Sequence, residues 1–170
     1  ATGAMNAAPG LTFQGTMEVV ALPGAEQFLV SAYRSTGDYY PFYLVLNSTN
    51  KLALYARRGS GSTVKSITAA AAITVGFHTW RFTIDCASGA GTLYLDNVAV
   101  GTRSDMWGDA PLTVAGDSWT VILGGRRIGD TGGTFKGKMG QVQGWRRALT
   151  GPEQVVAHAL LKSRDSRLLQ

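Results

Sequence analysis

The sequence has one cysteine, Cys86, and two histidines, His78 and His158, among its 170 residues. A lone cysteine excludes an intramolecular disulfide and any zinc site built from cysteines, so a packed core has to hold the fold. Long apolar runs are missing too, which excludes a bilayer-spanning helix of about twenty apolar residues. The opening ATGAMNAAPG lacks the basic stretch followed by an apolar run that marks a secretory leader. Cytoplasmic synthesis without a signal peptide is therefore expected. Charge is sparse, at 16% of residues against about 25% in an ordinary globular chain. The eleven acidic residues include no pair at i and i+2. Glycoside hydrolysis needs two carboxyls roughly 5 Å apart, or a somewhat wider pair, and same-face strand neighbours are the local way to place them. Asp105 and Asp109 flank Trp107 in a loop and read as a solvated loop end. The expectation is a protein that is not an enzyme.

Glycine is plentiful: 22 residues, nearly twice the usual share of about 7%, without a fixed period. That is the signature of many turns. Between them, apolar and polar residues alternate with period two, as in strands with one buried face. Residues 80–84 set Trp80, Phe82 and Ile84 against Arg81 and Thr83. A turn over 87–91, a second strand with Leu93 and Leu95, the pair Asp96-Asn97, and a run from Val98 complete a three-stranded meander. Further strands are expected at 28–33, 39–47, 51–57, 121–124 and 135–145, and short ones at 11–13 and 17–22 around a turn at Gln14-Gly15-Thr16. The alanine-rich stretch 66–75 reads as extended because Ile67, Ile73, Val75 and its threonines favour strand and loop. Ten to thirteen short strands imply a sandwich. One helix is expected, at the end, where Thr150 and Glu153 have capping-box spacing, the hydroxyl accepting from the Glu153 backbone and the carboxylate reaching back. Val155, Val156, Ala159 and Leu160 then form its apolar face.

Four segments, in order, resemble the laminin G-like and concanavalin A-like lectin/glucanase jelly rolls, particularly the laminin G-like domains of bacterial and phage surface proteins. They are LTFQG at 11–15, FHTWRFTID at 77–85, GTLYLDNVAV at 91–100 and FKGKMGQVQGWRRALTGPEQV at 135–155. The resemblance implies an all-β fold, a two-sheet antiparallel jelly-roll β-sandwich with one short C-terminal helix. Its expected divisions are an arm over 1–10, the domain over 11–161 and a basic tail over 162–170. It also implies a calcium site with a carboxylate in the Phe-Asp-Gly turn and others on the closing strand. Those positions here are Gln14 and Gly140-Gln141, and calcium prefers several hard oxygens, some anionic. No cofactor is expected; a surviving calcium site would draw on Asp38, Asp105, Asp109 or Asp130.

Sugar sites combine aromatic faces with polar groups that take hydroxyls. Tyr43 and Trp119, inside alternating segments, read as packing. Tyr39, Tyr40 and Trp107 lie beside Gly, Pro or Asp and are the candidate ring surfaces, with Asp38, Asp105 and Asp109 as polar partners. His78 and His158 read as structural. The net charge of +5 resides in the C-terminal third: from Arg126 onward nine basic residues face three acidic ones. Arg126 and Arg127, with Arg164 and Arg167 of the tail, are candidate contacts to an anionic glycan or acidic protein, since guanidinium matches carboxylate and sulfate bidentately. Leu168 and Leu169 would add an apolar element docking on a neighbouring chain. Nucleic acid is disfavoured, because no recognition motif accompanies the charge.

The resulting expectation is a non-catalytic, lectin-like binding or decorating module of a larger surface assembly, a phage tail or capsid for preference. It would sit on a virion or extracellular surface, contact glycans or other chains, form a homo-oligomer and insert in no membrane. Two alternatives stand beside it: a purely structural oligomerisation module, and a carbohydrate-binding domain of a secreted or cell-surface protein.

Overall fold

The structure, a computed structural model, describes residues 10–34, 39–57, 62–107, 120–126 and 132–164, with Tyr39 through its backbone only. Among these residues ten strands and one helix follow in order: β1 (Gly10–Val19), β2 (Gln27–Arg34), β3 (Tyr39–Leu46), β4 (Leu52–Ala56), β5 (Lys65–Thr68), β6 (Gly76–Asp85), β7 (Gly91–Leu95), β8 (Val98–Arg103), β9 (Thr120–Leu123), β10 (Lys138–Trp145) and α1 (Gly151–Arg164). They make two antiparallel five-stranded sheets, ordered β10-β1-β6-β7-β8 and β5-β4-β3-β2-β9. This is the expected jelly-roll sandwich, and stretch 66–75 holds a strand and coil rather than a helix. No helix among the described residues is long and apolar enough to cross a membrane.

Alternation sends Leu11, Phe13, Met17, Trp80, Phe82 and Ile84 inward from the first sheet. Leu29, Phe42, Leu44, Leu46, Leu52 and Leu54 meet them from the second, all essentially buried. At the centre Phe13, Phe42 and Phe82 pack with ring centroids 5.2–5.6 Å apart, separations at which aromatic pairs add to area burial.

The expected turn at Gln14-Gly15-Thr16 does not occur. β1 runs straight through these residues, with a register shift against β10 between Gly15 and Met17. Gly15 is there for clearance: a Cβ would lie 2.5 Å from the Trp80 ring. The expected tight turn at Asp96-Asn97 does occur, with φ of 49° and 66°, the left-handed geometry of a two-residue hairpin.

The outer face of the first sheet is polar yet buried. Thr12, Gln14, Thr16, Thr79, Arg81 and Thr83 are all under 10% exposed, because α1 and its approach cover part of it. Gln14 donates to Gln143 Oε1 (2.9 Å) and to the Ala157 carbonyl (2.8 Å). Arg81 donates to Asn97 Oδ1, the Gln154 carbonyl and Gln154 Oε1, and its guanidinium stacks 4.1 Å from the Tyr94 ring centroid. The helix therefore seats Ala157 and Leu161 and leaves Val155, Val156 and Leu160 exposed. The expected apolar face is turned away from the sheet because hydrogen bonds from Gln14 and Arg81, together with burial of Ala157 and Leu161, set the rotation of the helix. The cap also differs in detail: the Thr150 hydroxyl donates to the Glu153 carboxylate rather than accepting from backbone. The Thr150 N–H joins it on the same oxygen. Arg147 and then these two donors hold Glu153 at a pKa of about 2. α1 extends to Arg164, past the boundary expected at 161.

His78, 9% exposed, ties the hairpin to the segment before β6. Its Nδ1 lies 2.7 Å from Asp96 Oδ2 and its Nε2 3.0 Å from the Thr74 carbonyl. Protonated, the ring donates at both nitrogens; neutral, it keeps Nδ1–H on Asp96 while Nε2 accepts from the Thr74 hydroxyl at 3.3 Å. The hydrogen bond to Asp96 raises the His78 pKa against its burial. Burial alone would raise Asp96, but bonds from His78 and the Thr79 N–H bring it below 3.8. His158 moves down instead, through burial and then Lys162 and Arg81. His78 thus stabilises fully below 6.5 and its contribution fades as pH rises through its elevated native value. That of Asp96 is complete above 3.8 and fades as pH falls through its depressed one. Titration followed by imidazole NMR should place His78 above 6.5 and His158 below it, and Asp96→Asn should bring His78 down; coincident titration of the two rings contradicts the arrangement.

Candidate functional site

The run YYPFYLVL of β3 is apolar at every position, so both faces of the strand are covered. Phe42, Leu44 and Leu46 enter the core, and Tyr43 and Val45 point to the outer face of the second sheet. There, Phe28, Val45 and Ala53 form a separate buried cluster under Tyr43 and Tyr55. Cross-strand register sets Tyr43 opposite Tyr55, and the rings stack at 4.7 Å. Tyr40 meets Tyr43 edge-on at 6.1 Å and Tyr33 at 5.4 Å, and Phe28 meets Tyr43 at 5.4 Å.

Two arginines come to the edge of this aromatic surface from different elements. Arg126 follows β9, where Ser31 Oγ donates to the carbonyls of Gly125 (3.0 Å) and Arg126 (2.7 Å). Its guanidinium sits 5.4 Å from the Tyr40 ring centroid, a cation–π distance. Arg57 follows β4 and is placed by its backbone N–H on the Pro41 carbonyl, 2.9 Å. With Glu26, Phe28, Tyr40, Tyr43 and Val64 they enclose a pocket of about 260 Å³. Burial, then Glu26 and Tyr55, raise the Tyr43 pKa against the two arginines, so its phenol stays a hydrogen-bond donor.

Chemically, the pocket offers ring faces for sugar C–H groups, a phenol, two guanidinium forks and one carboxylate. Among the described lining residues, two cations against one anion favour an anionic group, and Glu26 accepts from a hydroxyl or N–H. Among the described residues, Glu26 is the carboxylate that lines the pocket. Among the described residues no three His, Cys, Asp or Glu side chains converge to hold a metal ion.

The candidate residues distribute unevenly. Tyr40 and Arg126 are brought together in the pocket. Asp38, Asp109, Arg127 and Arg167 lie outside the described residues, as do Trp119, Asp130 and the side chain of Tyr39. Trp107 is a correction: it is 3% exposed and belongs to the main core, so it presents no ring to a ligand. Its backbone N–H bonds the Gly89 carbonyl, which draws the loop inward. Asp105 is exposed, but it pairs with Lys65 and Arg103, which hold its pKa at about 2, and it does not line the pocket. Arg164 ends α1, away from the pocket.

Tyr43, taken for simple packing, half lines the pocket. Glu26 and Arg57 were missed as members of the site, and Tyr55 as the ring that stacks behind Tyr43. The local signal was the unbroken apolar run of β3, which marks a strand with a second covered face.

The calcium site implied by the resemblance does not fit these residues. Gln14 is 1% exposed, and its amide anchors α1. Gln14 Oε1 and Gln141 Oε1 are buried acceptors without a donor, but two neutral amide oxygens lack the anionic charge calcium prefers.

These features define a class: a two-sheet jelly roll with a polar pocket on the outer face of one sheet. The chain belongs to the concanavalin A-like lectin/glucanases superfamily, whose laminin G-type family model matches residues 12–154. Among solved structures, it is similar to a carbohydrate-binding module, CBM40, of the Ruminococcus gnavus IT-sialidase bound to α2,3-sialyllactose. That likeness has 19% identity and a TM-score of 0.70 over 89% of this chain and 83% of the other. It is also similar to a native heptameric SAP-like pentraxin from Limulus polyphemus, at 20% identity and TM-score 0.63 over 89% and 71%. A Trypanosoma rangeli sialidase matches at 16% identity and TM-score 0.63, with 92% of this chain aligned to only 23% of that enzyme. No curated protein matches the chain.

Proposed function

We propose that this protein is a non-catalytic carbohydrate-binding module whose pocket seats an acidic sugar residue. Arg57 and Arg126 hold the acid group, Tyr40 and Tyr43 contact the ring, and Glu26 takes a hydroxyl or N–H. The observation that carries this reading is the convergence of two arginines from separate elements on one tyrosine-lined pocket. The CBM40 module that shares the fold was captured with a sialylated sugar, which supports the class of ligand. Among the described residues the pocket is lined by one carboxylate rather than a pair, which supports binding without turnover. We further propose display on a larger surface assembly, a phage virion for preference, where repeated copies raise weak single-site affinity by avidity. The heptameric pentraxin of the same fold is consistent with such multiplication.

Calorimetry against sialyllactose, a glucuronic acid-terminated oligosaccharide and neutral lactose tests this directly. The acidic sugars should bind, with or without a calcium chelator, and lactose should not. No reducing ends should be released. Equal affinity for lactose, or turnover that a single Asp or Glu substitution abolishes, defeats the proposal.

A further inference from the structure

Helix α1 borders a second concave surface, apart from the pocket. With Ala157 and Leu161 spent on the sheet, Val156 is left 59% and Leu160 48% exposed. Together with Trp145, Leu149 and Pro152 they line a groove of about 350 Å³ whose surface is mostly apolar. Arg147 and Glu153, paired at 2.6 Å, also line it. Residues four apart on a helix share a face, so the stripe of Val156 and Leu160 continues to Arg164. That residue is exposed and has no ion-pair partner among the described residues.

We propose that this groove docks an acidic segment of another protein. A large apolar side chain of the partner enters between Trp145, Val156 and Leu160, and a carboxylate one turn along meets Arg164. Three observations select this occupant. The surface is concave, which suits an inserted side chain and denies a lipid surface the protruding apolar residues it needs. Lys162 and Arg164 crown the end of the helix, so the complementary charge is negative. A symmetric contact with a second copy answers poorly: among the described residues the carboxylate lining the groove, Glu153, is already bonded to Arg147 and Thr150. The exposed valines and leucine lie on a helix whose stability comes from its other face, so they are free to serve an interface.

The test uses three short synthetic helical peptides: one rich in glutamate with Leu and Phe along one face, a second with lysine for every glutamate, and a third with alanine for Leu and Phe. Each is titrated into isotope-labelled protein while the Trp145 indole N–H and the amides of 156–164 are followed by NMR. The acidic apolar peptide should shift these resonances, with binding weakened about tenfold by Leu160→Glu and by Arg164→Glu and lessened by added salt. Both sites are exposed, and unchanged sialyllactose binding by the variants confirms that they fold. Shifts of equal size with the lysine peptide or the alanine peptide overturn the proposal. So does a groove that responds only to protein concentration, which means a second copy, or only to phosphatidylserine vesicles, which means a lipid surface.

Discussion

Arg126→Glu should reduce affinity for an acidic sugar by at least thirtyfold while leaving the melting temperature nearly unchanged. The residue is exposed and outside the core, and its backbone, not its side chain, is what Ser31 holds. Reversing its charge converts the pocket from two cations and one anion to one cation and two anions. A ligand carboxylate then meets repulsion as well as a missing fork. Truncating one partner of a charge pair costs about 2–5 kcal/mol when the pair is buried. This site is partly solvated, so the low end of about 2 kcal/mol applies, which is the thirtyfold stated. Arg126→Lys separates charge from shape: it keeps the cation but loses the planar fork and part of the stacking on Tyr40, and should fall between wild type and Glu. Calorimetry with sialyllactose decides. Unchanged affinity in the Glu variant would remove Arg126 from the site.

Arg81→Met should have the largest effect on stability, about 2–4 kcal/mol, because it removes three hydrogen bonds that a buried guanidinium makes to the exposed Asn97 and half-buried Gln154. Arg81 is 4% exposed and lowered in pKa by that burial, so the charge is held at a cost. It is retained through three donations that join β6, the β7–β8 turn and α1. Methionine matches the stem but donates nothing, and Gln154 loses its hold on the sheet. Denaturant unfolding measures the loss, and hydrogen exchange should show α1 opening first. Sialyllactose affinity should survive, since the pocket lies on the other sheet. A variant that unfolds at the wild-type midpoint contradicts the anchoring role.

The two variants bear on opposite faces of the sandwich, and the faces differ in how much local sequence reveals about them. Apart from β1, which the sequence reading broke at a turn over Gln14-Gly15-Thr16, the strands were legible because period-two alternation is a property of neighbouring residues, as at Trp80, Phe82 and Ile84. The hairpin at Asp96-Asn97 and the spacing of Thr150 and Glu153 were legible for the same reason: a few adjacent residues decide them. The pocket was half legible. Tyr40 and Arg126 announce themselves by residue type, but Arg57 enters only when β3 and β4 pair in register, and Glu26 only when β2 pairs with β3 and β9. Trp107 was misjudged on the same ground, since a tryptophan in a polar loop carries no local mark of whether the loop folds inward.

The sequence by itself determined the strands other than β1, their buried faces, the tight turn, the terminal helix and the basic character of the last third. Tertiary structure alone decided which face of α1 turns inward. The helix carries an apolar stripe, yet the surface that receives it is built from Gln14 and Arg81, so hydrogen bonds to Ala157 and Gln154 set its rotation and leave Val155, Val156 and Leu160 outside. It alone decided that Gly15 is a clearance for Trp80 rather than a turn, because the clash it avoids comes from a residue sixty-five positions away that β1–β6 pairing brings opposite it. Local chemistry encodes the period and direction of each element. Where two elements meet depends on register between distant segments, and a pocket assembled from three loops and two strands exists only after that register is set.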